Sequence, residues 1–264
     1  MIIDIHTHCF DDAIAKKAIA VLTKKGGIPA YTDGTVSDLI RSMDESHIDI
    51  SIIQPIATKP KQTEVINRWA VSIQDKRILS FGTIHPEYPD WKKEIRYLAS
   101  CGIKGIKFHP DYQEFFVDDP KLFPIYEEVF SNNMIALFHA GIDIGLPEPC
   151  HCTPKGLRNV LRTFKGAEII AAHMGGYDLW NEVEKYLVGE DIYFDTSYTS
   201  HALDSVFMTN MIKNHGTDKI LFGTDSPWGN QRREVEFIKS LPLRDEEKDR
   251  ILGKNAIKAL GLQS

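Results

Sequence analysis

The sequence predicts an α/β protein folded as a single (β/α)8 barrel, a TIM barrel with a helical insertion after its first strand. Three observations predict it. Eight strand-sized apolar runs are spaced along the chain, coarsely 2–6, 48–54, 78–84, 103–109, 134–139, 167–173, 191–196 and 219–224. Most intervening stretches carry helical spacing, as in Val36, Leu39, Ile40 and Met43 or Leu157, Val160, Leu161 and Phe164, and strand alternating with helix implies a parallel sheet. Five of the runs close on a His or Asp at or just past their carboxyl ends, and four of these five are followed within a few residues by Gly or Pro.

The first run reads Ile2-Ile3-Asp4-Ile5-His6-Thr7-His8. Residues two apart on a strand share a face, so His6 and His8 form a bidentate claw with Asp4 on the same face below it. The stretch Cys9 to Gly34 stands where a mononucleotide fold would place a Gly-rich phosphate turn. It predicts an extra helix, Ala13 to Lys25, and a turn at Lys25-Gly26-Gly27-Ile28-Pro29, placed above the rim as a lid.

The fourth, fifth, sixth and eighth runs end in Lys107-Phe108-His109-Pro110, Phe138-His139-Ala140-Gly141, Ala172-His173-Met174-Gly175-Gly176 and Gly223-Thr224-Asp225-Ser226-Pro227. Gly and Pro break each strand just after the functional residue, at the rim where a βα loop departs. In a barrel the last inward residues of different strands meet, so His6, His8, Lys107 or His109, His139, His173 and Asp225 converge. Neutral imidazoles with a carboxylate suit zinc and related divalent ions, and a catalytic site leaves one position for water. Lys107 is suited to anchor a substrate carboxylate. His109 shares its face and reads either as a substrate contact or as a hydrogen-bonding support. Asp195-Thr196-Ser197-Tyr198, ending the seventh run, offers groups to orient substrate or hold the His173 tautomer, and Trp228 and Tyr31 offer apolar walls.

Length and composition bound the function. A closed barrel accounts for all 264 residues as one domain, 1–264. With 42% hydrophobic and 26% charged residues the chain has the composition of a globular protein. A net charge of −6 without a Lys/Arg-dense stripe excludes a nucleic-acid binder. No stretch approaches the roughly 18 uninterrupted apolar residues of a membrane span, and no basic-then-apolar leader opens the chain, so no membrane partner and a cytoplasmic location are expected. Cys150-His151-Cys152 lacks a fourth partner for a structural zinc, so its cysteines read as free thiols.

The five strand-end motifs resemble the amidohydrolase superfamily in its amidohydrolase-related branch, and the resemblance extends to Ile251-Leu252-Gly253-Lys254-Asn255-Ala256 near the end of the chain. It implies that His6, His8, His139 and Asp225 hold one divalent ion, expected to be zinc, with His173 as general acid/base. Lys107 opens a second version, because it also resembles a lysine that is carboxylated and bridges two metals in some barrel hydrolases. There His6, His8 and Asp225 would hold one ion, and His139 and His173 the other. The expected activity is hydrolysis of a small carboxylated amide, lactone or ester, with metal-bound water as nucleophile and His173 and Asp225 moving protons. The alternative is a metal-dependent non-oxidative decarboxylase of an aromatic or unsaturated acid, which the same branch also resembles. A noncatalytic ligand-binding barrel is a third reading, against which the intact ligand set speaks. The resemblance further implies a homodimer.

Overall fold

Nine short strands carry the parallel pairing: β1 Ile3–Thr7, β2 Ile50–Ile53, β3 Ile78–Ser80, β4 Gly82–Thr83, β5 Gly105–Phe108, β6 Ile135–Phe138, β7 Ile169–Ala171, β8 Tyr193–Asp195 and β9 Ile220–Leu221. The structure, a computed structural model, describes residues 1–262. The strands form two arcs, β1-β2-β3 and β4 through β9 in sequence order. Hydrogen bonds join the arcs at both seams. Phe81 N donates to Ile53 O at 2.9 Å, while Ile5 N donates to Phe222 O at 2.9 Å and Asp225 N to His6 O at 2.7 Å. The ring therefore closes as a barrel. The run predicted as one strand over 78–84 is two, divided at Phe81, whose buried ring packs over Gly105 where a Cβ would lie 2.4 Å from Phe81 Cε2.

Eleven α-helices follow in the described residues: α1 Asp12–Gly26, α2 Val36–Ser46, α3 Thr63–Ser72, α4 Trp91–Ser100, α5 Phe123–Ser131, α6 Pro154–Thr163, α7 Trp180–Tyr186, α8 Ser205–His215, α9 Gln231–Ser240, α10 Asp245–Asp249 and α11 Asn255–Leu260. Short polar residues start several of them by accepting otherwise unpaired backbone N–H groups. Asp11 takes Ala13 N, Thr35 takes Asp38 N, Asp204 takes Val206 N and Phe207 N, and Asn230 takes Arg233 N. The predicted insertion helix is α1, and of its fifteen residues only Ala15 is buried. It lies across the rim rather than in the core. None of the described helices is long and apolar enough to cross a membrane.

Apolar packing falls into two groups. One, including Leu39, Phe108, Tyr126, Phe138, Val160, Phe194 and Phe222, joins the strands to the helices. The other brings Ile3, Ile5, Ile52, Phe81, Leu137, Ile170 and Leu221 together. Each fully buried Phe, Leu or Ile contributes about 1.5–3 kcal/mol. One expectation is corrected in β1. Asp4 does not continue the face of the claw, because the pairing register shifts between Asp4 and Thr7. Its carboxylate instead accepts from Thr224 N (3.0 Å), Thr224 Oγ1 (2.6 Å) and Gln231 Nε2 at the start of α9 (2.8 Å).

Behind His139 the chain turns at Gly141 (φ 84°), which pairs with Tyr177; a Cβ there would lie 2.1 Å from Tyr177 N and 2.3 Å from Tyr177 O. Gly141→Ala is expected to lower the unfolding free energy by about 3 kcal/mol or more in a denaturant titration. Gly102→Ala, at φ 81° in open space, isolates the backbone cost and should lose only about 1–2 kcal/mol. Equal losses for the two would show that the close approach to Tyr177 is unimportant. A second expectation concerns Glu234 on α9, which accepts from Ser200 Oγ at 2.6 Å and whose burial pushes its pKa from 4.5 up to about 7. The folded state then holds a proton that the unfolded chain releases, so this stability is present below the unfolded pKa and lost as pH rises through the folded one. Glu234→Gln should match wild type in acid and be about 2–3 kcal/mol more stable near about pH 8. An unchanged difference across that range would refute the assignment.

Candidate metal centre and active site

His6, at the carboxyl end of β1, has Nδ1 2.8 Å from Asp195 Oδ2. A carboxylate only accepts, so Nδ1 carries the proton and Nε2 presents its lone pair. That Nε2 accepts from Lys107 Nζ at 3.1 Å and lies 3.4 Å from Asp225 Oδ1. His8 donates Nδ1–H to Gln54 O at 2.8 Å, which turns its own Nε2 lone pair toward Asp225 Oδ1 at 3.0 Å. Two acceptors at that distance repel unless a proton or a metal ion sits between them. Donor atoms of His6, His8 and Asp225 all lie within 4.8 Å of one another.

A second chain of tautomers ends beside this triad. His173 Nδ1–H donates to Ser197 O (2.9 Å), so its Nε2 accepts from His139 Nδ1 (3.1 Å). His139 is left with a bare Nε2 that is buried and has no hydrogen-bond partner. His109 lies flat against His139, with ring centroids 4.1 Å apart and planes at 8°. Its Nδ1 accepts from Tyr112 N at 3.3 Å, and its Nε2 is 3.2 Å from Asp143 Oδ2. His109, His139 and Asp143 form a second group within 4.8 Å. The expected ligands thus fall into two clusters: His6, His8 and Asp225 in one, and His139 in the other with His109, which the sequence placed at the substrate.

Burial and charge keep the ligands in the state a metal requires. Burial, then the Lys107 charge, lowers the His6 pKa to about 4. Burial first, then neighbouring cationic groups, holds His109 and His139 well below the ordinary imidazole range. Burial acts to raise Asp225, but a proton between its carboxylate and His8, with the charges of His6 and His8, outweighs burial and holds the group at about 2. Lys107 is lowered to about 8 by burial. Neutral imidazoles, an ionised carboxylate and an orphaned buried Nε2 on His139 match the donor chemistry of a divalent cation.

These residues form the floor of a cavity of about 470 Å³. Tyr198 and Trp228, which the sequence offered as a substrate-orienting group and an apolar wall, line it, as do Asp143, Gln54 and Tyr177, which the sequence did not single out. Asp143 carried one signal, an acid four residues beyond His139; the position of Tyr177 carried none. Tyr31 is 43% exposed and lies outside the lining. His201 supports Tyr177, with Nε2 3.2 Å from its hydroxyl. His173, Tyr198 and Asp225 all adopt left-handed backbone (φ 59°, 53° and 61°), a conformation that costs about 1–2 kcal/mol in a non-glycine residue and concentrates at functional sites. Cys150 and Cys152 are free, and burial pushes the Cys9 thiol far above its ordinary range.

A closed (β/α)8 barrel with a His/Asp cluster at the carboxyl ends of its strands defines a class of metal-dependent barrel enzymes. Within that class the chain belongs to the Amidohydrolase family, whose model matches residues 3–262. Among solved structures it is similar to a TIM-barrel protein from Bordetella bronchiseptica (15% identity, TM-score 0.79, 99% of this chain and 98% of that one). It is also similar to 5-carboxyvanillate decarboxylase from Sphingomonas paucimobilis (14%, 0.73, 99% and 99%). A third is dihydroxybenzoic acid decarboxylase from Polaromonas sp., with bound manganese and 2-nitroresorcinol (15%, 0.75, 99% and 97%). At these identities the likeness is one of fold.

Asp195 fixes the His6 tautomer, so Asp195→Asn should weaken metal binding about 10- to 100-fold. Metal content after dialysis against buffered Mn²⁺ or Zn²⁺ measures this, with circular dichroism confirming the fold. Wild-type affinity in the folded variant would remove the tautomer argument.

Proposed function

We propose that the protein is a metal-dependent, non-oxidative decarboxylase of an aromatic or unsaturated carboxylic acid. One observation carries the reading: the ligand cluster and the buried Lys107 ammonium lie at the floor of a cavity whose walls are largely apolar and aromatic. Such a site holds a carboxylate at its base and keeps water from the carbon to which it is attached. The names of two similar structures, decarboxylases of ring acids, support the same reaction class. It reverses the order in which the sequence ranks the two chemistries.

A divalent ion held by His6, His8 and Asp225 would supply positive charge to polarise the acid, while His139 stands in the second cluster with His109 and Asp143. Lys107 pairs with the substrate carboxylate. The bond between that carboxylate and the carbon skeleton breaks, its electron pair stays on carbon, and CO2 departs. The same carbon takes up one proton, so the acid leaves as its C–H product. His173 is the residue that delivers this proton: its Nδ1–H stays on the Ser197 carbonyl, and Nε2, in the cavity lining beside His139, takes a second proton from solution, passes it to the carbon and is recharged from solution at each turnover. Tyr177 and Tyr198 orient the ring of the acid.

Hydrolysis is the second reading, favoured by the ionised Asp225, which can accept a proton from an attacking water. The two separate in one experiment. Protein loaded with Mn²⁺ or Zn²⁺ is expected to release CO2 from members of an aromatic-acid panel, to lose that activity on chelation and to regain it on metal addition. His173→Gln should keep the bound metal and lose about 100-fold or more in kcat. Cleavage of the corresponding amides, lactones or esters without CO2 release from any acid would replace decarboxylation with hydrolysis.

A further inference from the structure

We infer that the substrate is a monocarboxylic acid larger than a single ring, its carboxylate on Lys107 and its uncharged, apolar body extending up the cavity beneath α1. This rests on the reading of the site as one that receives an acid, and it adds the size, charge and polarity of the rest of the molecule.

Volume is the first observation. A cavity of about 470 Å³ falls in the range of about 300–1,000 Å³ that encloses drug-sized ligands. A single substituted ring held at the floor would leave the upper part to water. That upper part is built to exclude water: Phe10, Ile14 and Leu22 reach it from the insertion, Ile66 and Trp69 from α3, and Ile142 from the loop after β6.

Charge is the second. Lys107 is the one Lys or Arg among the lining side chains, and it is buried against His6 at the floor. The acids Asp11 and Asp143 also line the cavity, and Lys25 lies over the ring of Tyr112 outside that lining. A second carboxylate inside the apolar upper part would be desolvated without a counter-ion in the lining and would meet the like charge of Asp11 or Asp143.

The mouth supplies the third. Ile14 of α1, Val65 of α3 and Ile144 of the loop after β6 line the cavity yet are 54%, 71% and 45% exposed. Three apolar side chains from three separate elements therefore ring one opening. An apolar body between them removes all three from water together.

Calorimetric titration of the Mn²⁺-loaded protein with benzoate, biphenyl-4-carboxylate and biphenyl-4,4′-dicarboxylate tests the inference without turnover. The biphenyl monoacid should bind about tenfold or more tightly than benzoate, from the added apolar area, and the diacid should lose that gain. Ile14→Asp, at an exposed position that spares the fold, should weaken the biphenyl monoacid about tenfold and benzoate less than twofold. Equal affinity for benzoate and the biphenyl monoacid, or a diacid as tight as the monoacid, overturns the inference. The affinity order with no CO2 released from any acid upholds the ligand class and removes the decarboxylase reading; CO2 release from one-ring acids with a flat affinity order does the reverse.

Discussion

One buried carboxylate holds the centre together. Asp195, at the end of β8, is fully buried. Burial acts to raise its pKa, but the charge and hydrogen bond of His6 outweigh it and hold the group ionised below the usual carboxylate range. Its Oδ2 takes His6 Nδ1–H, while Oδ1 takes the N–H groups of His173 and Ser197 at 3.0 Å each, together with the Ser197 hydroxyl. Burying a charge costs several kcal/mol unless it is fully hydrogen-bonded, and here four donors surround it. Because those donors come from β1, from the turn after β7 and from the turn after β8, one anion sets the relative positions of the claw and the proton-carrying histidine.

The proton arrangement propagates outward from there. With Asp195 and Gln54 O fixing which nitrogen of His6 and His8 bears hydrogen, and Ser197 O doing the same for His173, the three rings and His139 have no remaining freedom of tautomer. Each exposes a lone pair toward the cavity floor or passes a proton along the chain. Binding a cation then leaves the imidazole tautomers unchanged and requires only that the Lys107 ammonium release His6 Nε2 and that the ion fill the space between the acceptors. The left-handed backbone at His173 and Asp225 is the local cost of aiming those side chains, and it is offset by bonds such as Met174 N to Asp195 O at 2.7 Å and Asp225 N to His6 O at 2.7 Å.

Much of this was legible in the sequence for a geometric reason. A barrel collects the last inward residues of its strands, so a His or Asp followed by Gly or Pro is enough to locate the rim, and the period of two links His6 with His8. What stayed hidden depends on distances that no period encodes. The register shift after Asp4 turns that carboxylate toward α9, although strict alternation would keep it on the His6 face. Phe81 splits a continuous apolar run because a distant glycine, Gly105, leaves room for its ring. Asp143 joins His109 and His139 only because Gly141 turns the chain back against Tyr177. That turn is a tertiary contact, and the same glycine in open space would signal a simple break.

The ligand cluster by itself does not choose a reaction, since acids, amides and lactones all present oxygen to a cation. What surrounds the cluster makes the choice, and in this chain the surroundings are covalently continuous with the claw. His8 leads through Cys9 and Phe10 directly into α1. Phe10 N is bonded to Gly34 O at 2.8 Å and His8 N to Ser226 O at 2.6 Å, which pins both ends of the insertion to the rim. Gly34, at φ 82°, lets the returning chain pass where a Cβ would lie 2.7 Å from Ile19. The histidines that α1 springs from are therefore held by the rim and not by the helix. A polar floor beneath an apolar cover confines charge to one end of the ligand, which is what the proposed decarboxylation requires: a bond to a carboxylate broken and an uncharged skeleton left behind.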